Sequence, residues 1–250
     1  MNESNIFKIC LLSDGKKGHL IKSEGIIHAL SLLIKTEVCI YKVSWKIGFM
    51  RKALLSFKIF RKLLPKEICL KDFKEEQYDL IISSGGATEW INAKIAKQIS
   101  RPNLFIGTLR HCEKKDFSFL AISKYKDYSG YIHMPIVPNT ITEDKIKVFA
   151  DKYYPENNQK IMSILIGGNG SGIKWNRTDF EIIIKNFLLL ANSNNVKLIF
   201  LTSRRTPNFI EEIIDDYWEH PSILKSSKRI CCSDLKNDRD YYYATLGVAD

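Results

Sequence analysis

Ser203-Arg204-Arg205-Thr206-Pro207 sets two adjacent guanidinium groups between two hydroxyls, where an apolar run gives way to a helical pattern. Bidentate guanidinium groups and a helix N-terminus suit a diphosphate, and Pro207 fits the helix's first turn. A solvated basic loop would carry the same residues. Asp14-Gly15-Lys16-Lys17-Gly18-His19 also joins an apolar run to a helical pattern. Its glycines permit tight backbone geometry, and the helix start offers N–H groups to an anion. Histidine is the side chain best suited to general-base work near neutral pH, which makes His19 the candidate base. The loop reads as a phosphate cradle, the seat of that base, or a tight turn.

Two further loops are glycine-rich. In Ser83–Glu89, Gly85 and Gly86 let a substrate approach the backbone, and Ser83, Ser84 and Thr88 offer hydroxyls. The same letters describe a glycine turn with Thr88 capping a helix. Gly167–Trp175, GGNGSGIKW, fits neither of two phosphate motifs. Ile173 stands where the dinucleotide fingerprint needs its third glycine, and Lys174 arrives one residue late for a phosphate loop. A glycine loop that receives a ligand remains.

The elements around these loops alternate. Strands are expected at Phe7–Leu12, Glu37–Val43, Asp79–Ser83, Leu104–Thr108 and Tyr131–Val137, with helices at Leu20–Ile34 and Glu89–Ile99. After a polar linker, Tyr153–Lys160, come strands Ile161–Ile166, Val196–Thr202 and Arg229–Ser233. Helices are expected from Thr178 or Asp179 to Leu190, at Asn208–Trp218 and at Asp240–Val248. This grammar predicts an α/β protein with parallel sheets in two Rossmann-like domains, 1–154 and 159–250. Ligands of such sheets bind at the carboxyl ends of strands, often in the cleft between domains, and all four loops lie at such ends.

With 45% hydrophobic and 26% charged residues the 250-residue chain has an ordinary globular composition, and its net charge of +10 favours anionic partners. No signal peptide is legible, and no run approaches the ~18 apolar residues of a membrane span. The six cysteines form no CxxC pair, and no HExxH or other metal spacing occurs, so a reduced cytosolic setting without structural zinc or disulfides is expected. No nucleic-acid module or interleaved aromatic platform is present, so nucleic acid is not an expected partner. Trp45–Lys66 carries seven basic residues and no acidic one. On a helical wheel Trp45, Phe49, Ala53, Phe57, Phe60 and Leu64 share one face, as on a helix lying against an anionic membrane or packed on a sheet.

The ordered set DGKKGH–IKSEG, DLIISSGGATE, LIGGNG and LTSRRTP resembles the family of the plant mitochondrial fission factor whose loss elongates mitochondria. Its bacterial members resemble glycosyltransferases of the two-Rossmann-domain, GT-B type. Against the usual opening DGKPGHxxQSxGLxxAL, Lys17 replaces the proline and Lys22 the glutamine; SRRTP matches unchanged. The first loop also looks like the GGTGGH loop of the peptidoglycan glycosyltransferases that add N-acetylglucosamine to a lipid intermediate at the membrane surface.

The resemblance implies transfer of a sugar from a nucleotide-sugar to a lipid-linked or cell-surface polysaccharide acceptor, at the inner face of a bacterial membrane. His19, or else Asp14, would be the base. Gly15, Lys16, Gly18, Gly85, Gly86 and Thr88 would face the acceptor, and Gly167, Gly168, Asn169, Ser203, Arg204, Arg205 and Thr206 the donor. The arginines would neutralise the leaving diphosphate, so neither metal nor cofactor is expected beyond the nucleotide-sugar substrate. The family continues past YYYATLGVAD into a DSxSMxxEA segment, which implies a truncated second domain here. A non-catalytic membrane adaptor, and a nucleotide-sugar epimerase or hydrolase on the same fold, are the alternatives.

Overall fold

The computed structural model describes residues 6–45, 68–70, 73, 78–123, 130–155, 159–170, 172, 174–203, 205–223 and 239–249. They form two units, 1–140 and 141–250. The first contains β1 (Phe7–Ser13), α1 (Lys17–Ser31), β2 (Thr36–Trp45), β3 (Ile68–Leu70), β4 (Leu80–Ser84), α2 (Glu89–Ile99), β5 (Asn103–Ile106), β6 (Phe119–Ile122) and β7 (Ile132–His133). The sheet order is β3-β2-β1-β4-β5-β6-β7, parallel throughout except for β3.

Strand alternation explains why two helices are needed. Ile9, Leu11, Ile82, Leu104 and Ile106 face one side, where Ile27 and Leu30 of α1 cover them. Cys10, Leu12 and Ile81 face the other, under Ile91, Ile95 and Ala96 of α2. A strand buried on both faces reads as an unbroken apolar run, which is how β1 and β4 appear in the sequence. β1 connects through α1 to β2, whereas β4 connects through α2 to β5, so strand order reverses between β1 and β4. In such sheets that reversal opens a crevice at the carboxyl ends of the strands.

β2 runs on to Trp45, so the basic segment begins within a strand; its remainder, residues 46–66, lies outside the described residues, as do Arg229–Ser233. Among the described residues no helix is long and apolar enough to cross a membrane.

The second unit contains α3 (Glu143–Tyr153), β8 (Ile161–Leu165), α4 (Arg177–Ser193), β9 (Lys197–Leu201), α5 (Asn208–Asp216) and α6 (Arg239–Gly247). β8 and β9 pair in parallel, and Ile223 bridges Leu198 in parallel. One face packs Phe180, Ile184 and Leu188 of α4 with Ile210, Ile213 and Ile214 of α5. Tyr154 and Ala244 cover the other, and the Ser163 hydroxyl ties β8 to α6 by donating to the Thr245 carbonyl at 2.6 Å.

Three expectations change. The division falls at Thr140, ahead of α3, rather than in the polar stretch after Tyr153, because Phe149, Tyr153 and Tyr154 pack in the second unit. Helix α4 opens at Arg177 on Asn176, whose side chain accepts from Asp179 N at 2.7 Å, and not on Thr178 or Asp179. Helix α3 has no counterpart in the sequence reading, although Thr142 followed by Glu143 and Asp144 is a usable start signal.

Cys10 is fully buried in β1, and that burial pushes its thiol up to about 12. An exposed thiol ionises near pH ~8.5. Between those values the folded chain keeps a proton that the unfolded chain releases. Stability therefore falls as pH rises through this window, by up to about 1.4 kcal/mol per pH unit. Urea unfolding across the window should show the loss, and Cys10→Ala should remove it.

Candidate functional site

The loop after β1 folds back on itself. Asp14 accepts from Lys16 N at 3.2 Å, and its carboxylate lies 2.9 and 3.1 Å from His19 Nδ1. The Asp14 side chain is 5% exposed and that of His19 31%. A carboxylate at Nδ1 fixes the tautomer that carries its proton there and leaves the Nε2 lone pair available. Nε2 has no protein partner among the described residues. Asp14 therefore orients the imidazole: it is buried, and its oxygens are engaged.

The loop after β4 meets this pair from the other side of the strand reversal. Gly85 has φ +95°, and a Cβ there would lie 2.1 Å from His19 Nδ1 and 2.4 Å from Cε1. Glycine is thus required by backbone conformation and by the imidazole together. Thr88 is fully buried, and its hydroxyl donates back to the Ser84 and Gly85 carbonyls at 3.1 and 2.9 Å. Its side chain does not cap α2; it braces the glycine turn.

A cavity of about 270 Å³ opens between these loops, lined among others by Lys16, His19, Lys22, Gly85, Gly86 and Arg110. That is slightly below the ~300 Å³ at which small-molecule sites usually begin, and so suits one end of a larger molecule. Gly15 and Gly18 do not line it.

Arg110 and its support were not legible in the sequence. Glu89, at the first position of α2, is fully buried. Its carboxylate accepts from the backbone N–H of Arg110 (3.0 Å), His111 (2.9 Å) and Cys112 (2.8 Å). One side chain thereby fixes the loop that carries Arg110 into the cavity wall.

In the second unit the loops after β8 and β9 are pinned together. Asn169 N donates to the Arg205 carbonyl at 3.2 Å, and the Thr206 hydroxyl donates to the Ile166 carbonyl at 3.0 Å. A Cβ on Gly168 would lie 2.1 Å from the Arg205 carbonyl carbon. Ser203 N donates to Thr206 Oγ1 at 2.8 Å, and the two hydroxyls are 3.0 Å apart. Ser203 and Thr206 therefore build the turn rather than offer free hydroxyls. The Asn169 side chain likewise accepts from Trp175 N, and Trp175 Nε1 donates to the Gly167 carbonyl. Arg205 is exposed beside Gly170, and its guanidinium has no acidic partner among the described residues. Arg204 lies outside the described residues.

The family described as Mitochondrial fission ELM1 matches residues 17–250. The chain belongs to the mitochondrial fission ELM1 family. The match takes in His19, the Gly85 turn and the Arg205 loop, while Asp14, Gly15 and Lys16 stand just ahead of it. No curated protein matches this chain. Among solved structures, this ELM1-family chain is similar to S. aureus MnaA in its UDP co-structure, at 13% identity over 93% of this chain and 71% of that one, TM-score 0.47. The UDP-GlcNAc 2-epimerase of Methanocaldococcus jannaschii gives 15% identity, 87% and 71% coverage, and TM-score 0.47. E. coli ADP-heptose lps heptosyltransferase II gives 8% identity, 84% and 69% coverage, and TM-score 0.42.

Proposed function

We propose that this protein is a glycosyltransferase that moves a sugar from a nucleotide-sugar to a lipid-linked or polysaccharide acceptor in the cytoplasm, at the membrane surface. The observation that carries this reading is the Asp14–His19 pair, oriented through Nδ1, with Nε2 unpartnered among the described residues and His19 lining a cavity beside the strand reversal. His19 Nε2 takes the proton of the acceptor hydroxyl as its oxygen bonds to the anomeric carbon. The bond from that carbon to the donor diphosphate breaks, and its electron pair leaves on the nucleoside diphosphate. Arg205, with Arg204, neutralises that charge. No further cofactor is invoked.

The test is sugar transfer from a panel of nucleotide-sugars to membrane-lipid and polysaccharide acceptors. His19→Ala should lower turnover by ~10²–10⁴-fold, the usual worth of a general base. Arg205→Gln should chiefly weaken donor binding. If both variants transfer sugar like the wild type, these roles are wrong. An epimerised or hydrolysed sugar would instead assign an epimerase or hydrolase. The rival reading, in a family described by mitochondrial fission, is a non-catalytic membrane adaptor. Vesicle binding without saturable nucleotide-sugar binding would establish that rival.

A further inference from the structure

The cavity of the first unit has a charge pattern that a base and its glycine turns do not require. Lys16, Lys22 and Arg110 all line it, and none has an acidic partner among the described residues. The one carboxylate in the lining, Asp14, is held by His19 Nδ1 and Lys16 N. Three cations from separate places thus converge on about 270 Å³: the residue before α1, the second turn of α1, and the loop after β5. Lys16, His19 and Lys22 follow at three-residue spacing, which keeps them on one side of the helix start.

Unpaired cations gathered around a small volume repel one another, and an anion relieves that repulsion. The arm that brings the third cation is not a loose loop. The buried Glu89 carboxylate holds Arg110, His111 and Cys112 by their N–H groups, so the Arg110 backbone is placed before any molecule arrives. Gly86 leaves room beside it: a Cβ there would come within 3.4 Å of Arg110 Cδ. A single carboxylate is served by one guanidinium, whereas three cations match the charge and several oxygens of a phosphate or diphosphate.

We propose that this cavity binds a phosphate or diphosphate group of the acceptor, held by Lys16, Lys22 and Arg110 next to the His19 base. The inference rests on the transferase reading, which it narrows to phosphorylated acceptors. The donor's own diphosphate belongs to the Arg205 loop in that reading, so each unit holds its own anion.

The test is a titration of the full chain with inorganic pyrophosphate, followed by the amide NMR signals of His19, Gly85, Gly86 and Arg110. Saturable shifts are expected, with affinity reduced at least tenfold in Lys22→Gln and in Arg110→Gln. Lys35→Gln removes the same charge at the opposite end of the strands and should change affinity less than twofold. Farnesyl diphosphate binding more tightly than pyrophosphate would name a lipid diphosphate as the source, and equal affinity a water-soluble phosphate; either supports the site. Unsaturable shifts, a Lys35→Gln effect as large as that of Arg110→Gln, or equal binding of glucuronate would overturn it. UDP moving these same amides at pyrophosphate concentrations would assign the cavity to the donor and overturn the acceptor assignment. No turnover is measured, so failure here leaves sugar transfer to an uncharged acceptor intact. A transfer assay that fails leaves a measured anion site standing.

Discussion

Gly85→Ala should disable sugar transfer about as severely as removal of the His19 imidazole, although residue 85 contributes no side chain to the chemistry. A methyl group there would sit 2.1 Å from His19 Nδ1, where the bond to Asp14 is made. The ring must swing away, or the turn after β4 must move, and the positive φ of residue 85 opposes an L side chain in either case. A swung ring loses the carboxylate that fixes its tautomer and carries Nε2 away from the cavity. Misplacing a reacting group by about 1 Å can cost ~10²-fold, and complete loss of a general base ~10²–10⁴-fold. The variant should therefore fall within that range while still binding nucleotide-sugar, since Arg205 and its loop belong to the other unit. Donor titration and turnover, measured together, make the comparison. A Gly85→Ala protein that turns over within threefold of wild type would show that His19 does not need its present position. Folding must be followed in parallel, because a strained turn between β4 and α2 lowers stability on its own account.

The same pair of loops shows how far the amino-acid sequence reaches. DGKKGH names a histidine and an aspartate, but only the fold shows that the aspartate is buried behind the ring and serves it. β1 and β4 are legible as apolar runs because both faces are covered, and α1 and α2 because each covers one of them. β3 is too short, at three residues, to leave a periodic trace, and the strand expected over Tyr131–Val137 shrinks to the two residues of β7. Hydroxyls mislead for a consistent reason. Thr88 stands beside glycines, and Ser203 and Thr206 beside arginines, in loops at strand ends where a ligand contact is plausible, yet each hydroxyl bonds to nearby backbone. Short polar side chains in tight turns tend to do this, since the nearest unsatisfied group is usually the chain itself. Arg110 is not legible because Thr108-Leu109-Arg110-His111 has no motif, and its place in the cavity wall comes from the strand it follows.

Glu89 is the residue whose removal should be felt most widely. In sequence a glutamate in the first turn of a helix reads as an ordinary complement to the helix dipole. The N–H groups it actually serves lie 21 to 23 residues further on, a distance no local pattern spans. Hydrogen bonds to a charged acceptor contribute about 1.5–3 kcal/mol each, and here three share one carboxylate. Residues 110–112 are partly open to water, which recovers some of that loss in a variant. Glu89→Ala should accordingly cost roughly 3 kcal/mol or more. For a chain of this length that lowers the melting temperature by about 6–12 °C. Glu89→Gln keeps the shape but points an amide NH2 at N–H groups, so it should recover only part of the difference. The local readout separates a clamp from general packing. Hydrogen exchange at Arg110, His111 and Cys112 should accelerate strongly while the amides of β1 and β4 hold their protection. In the transfer assay the same freed loop should raise the KM for the acceptor more than it lowers kcat, because Arg110 is then no longer held at the cavity wall. Uniform loss of protection across both strands, with KM unchanged, would make Glu89 a packing residue and leave Arg110 to be positioned by something else.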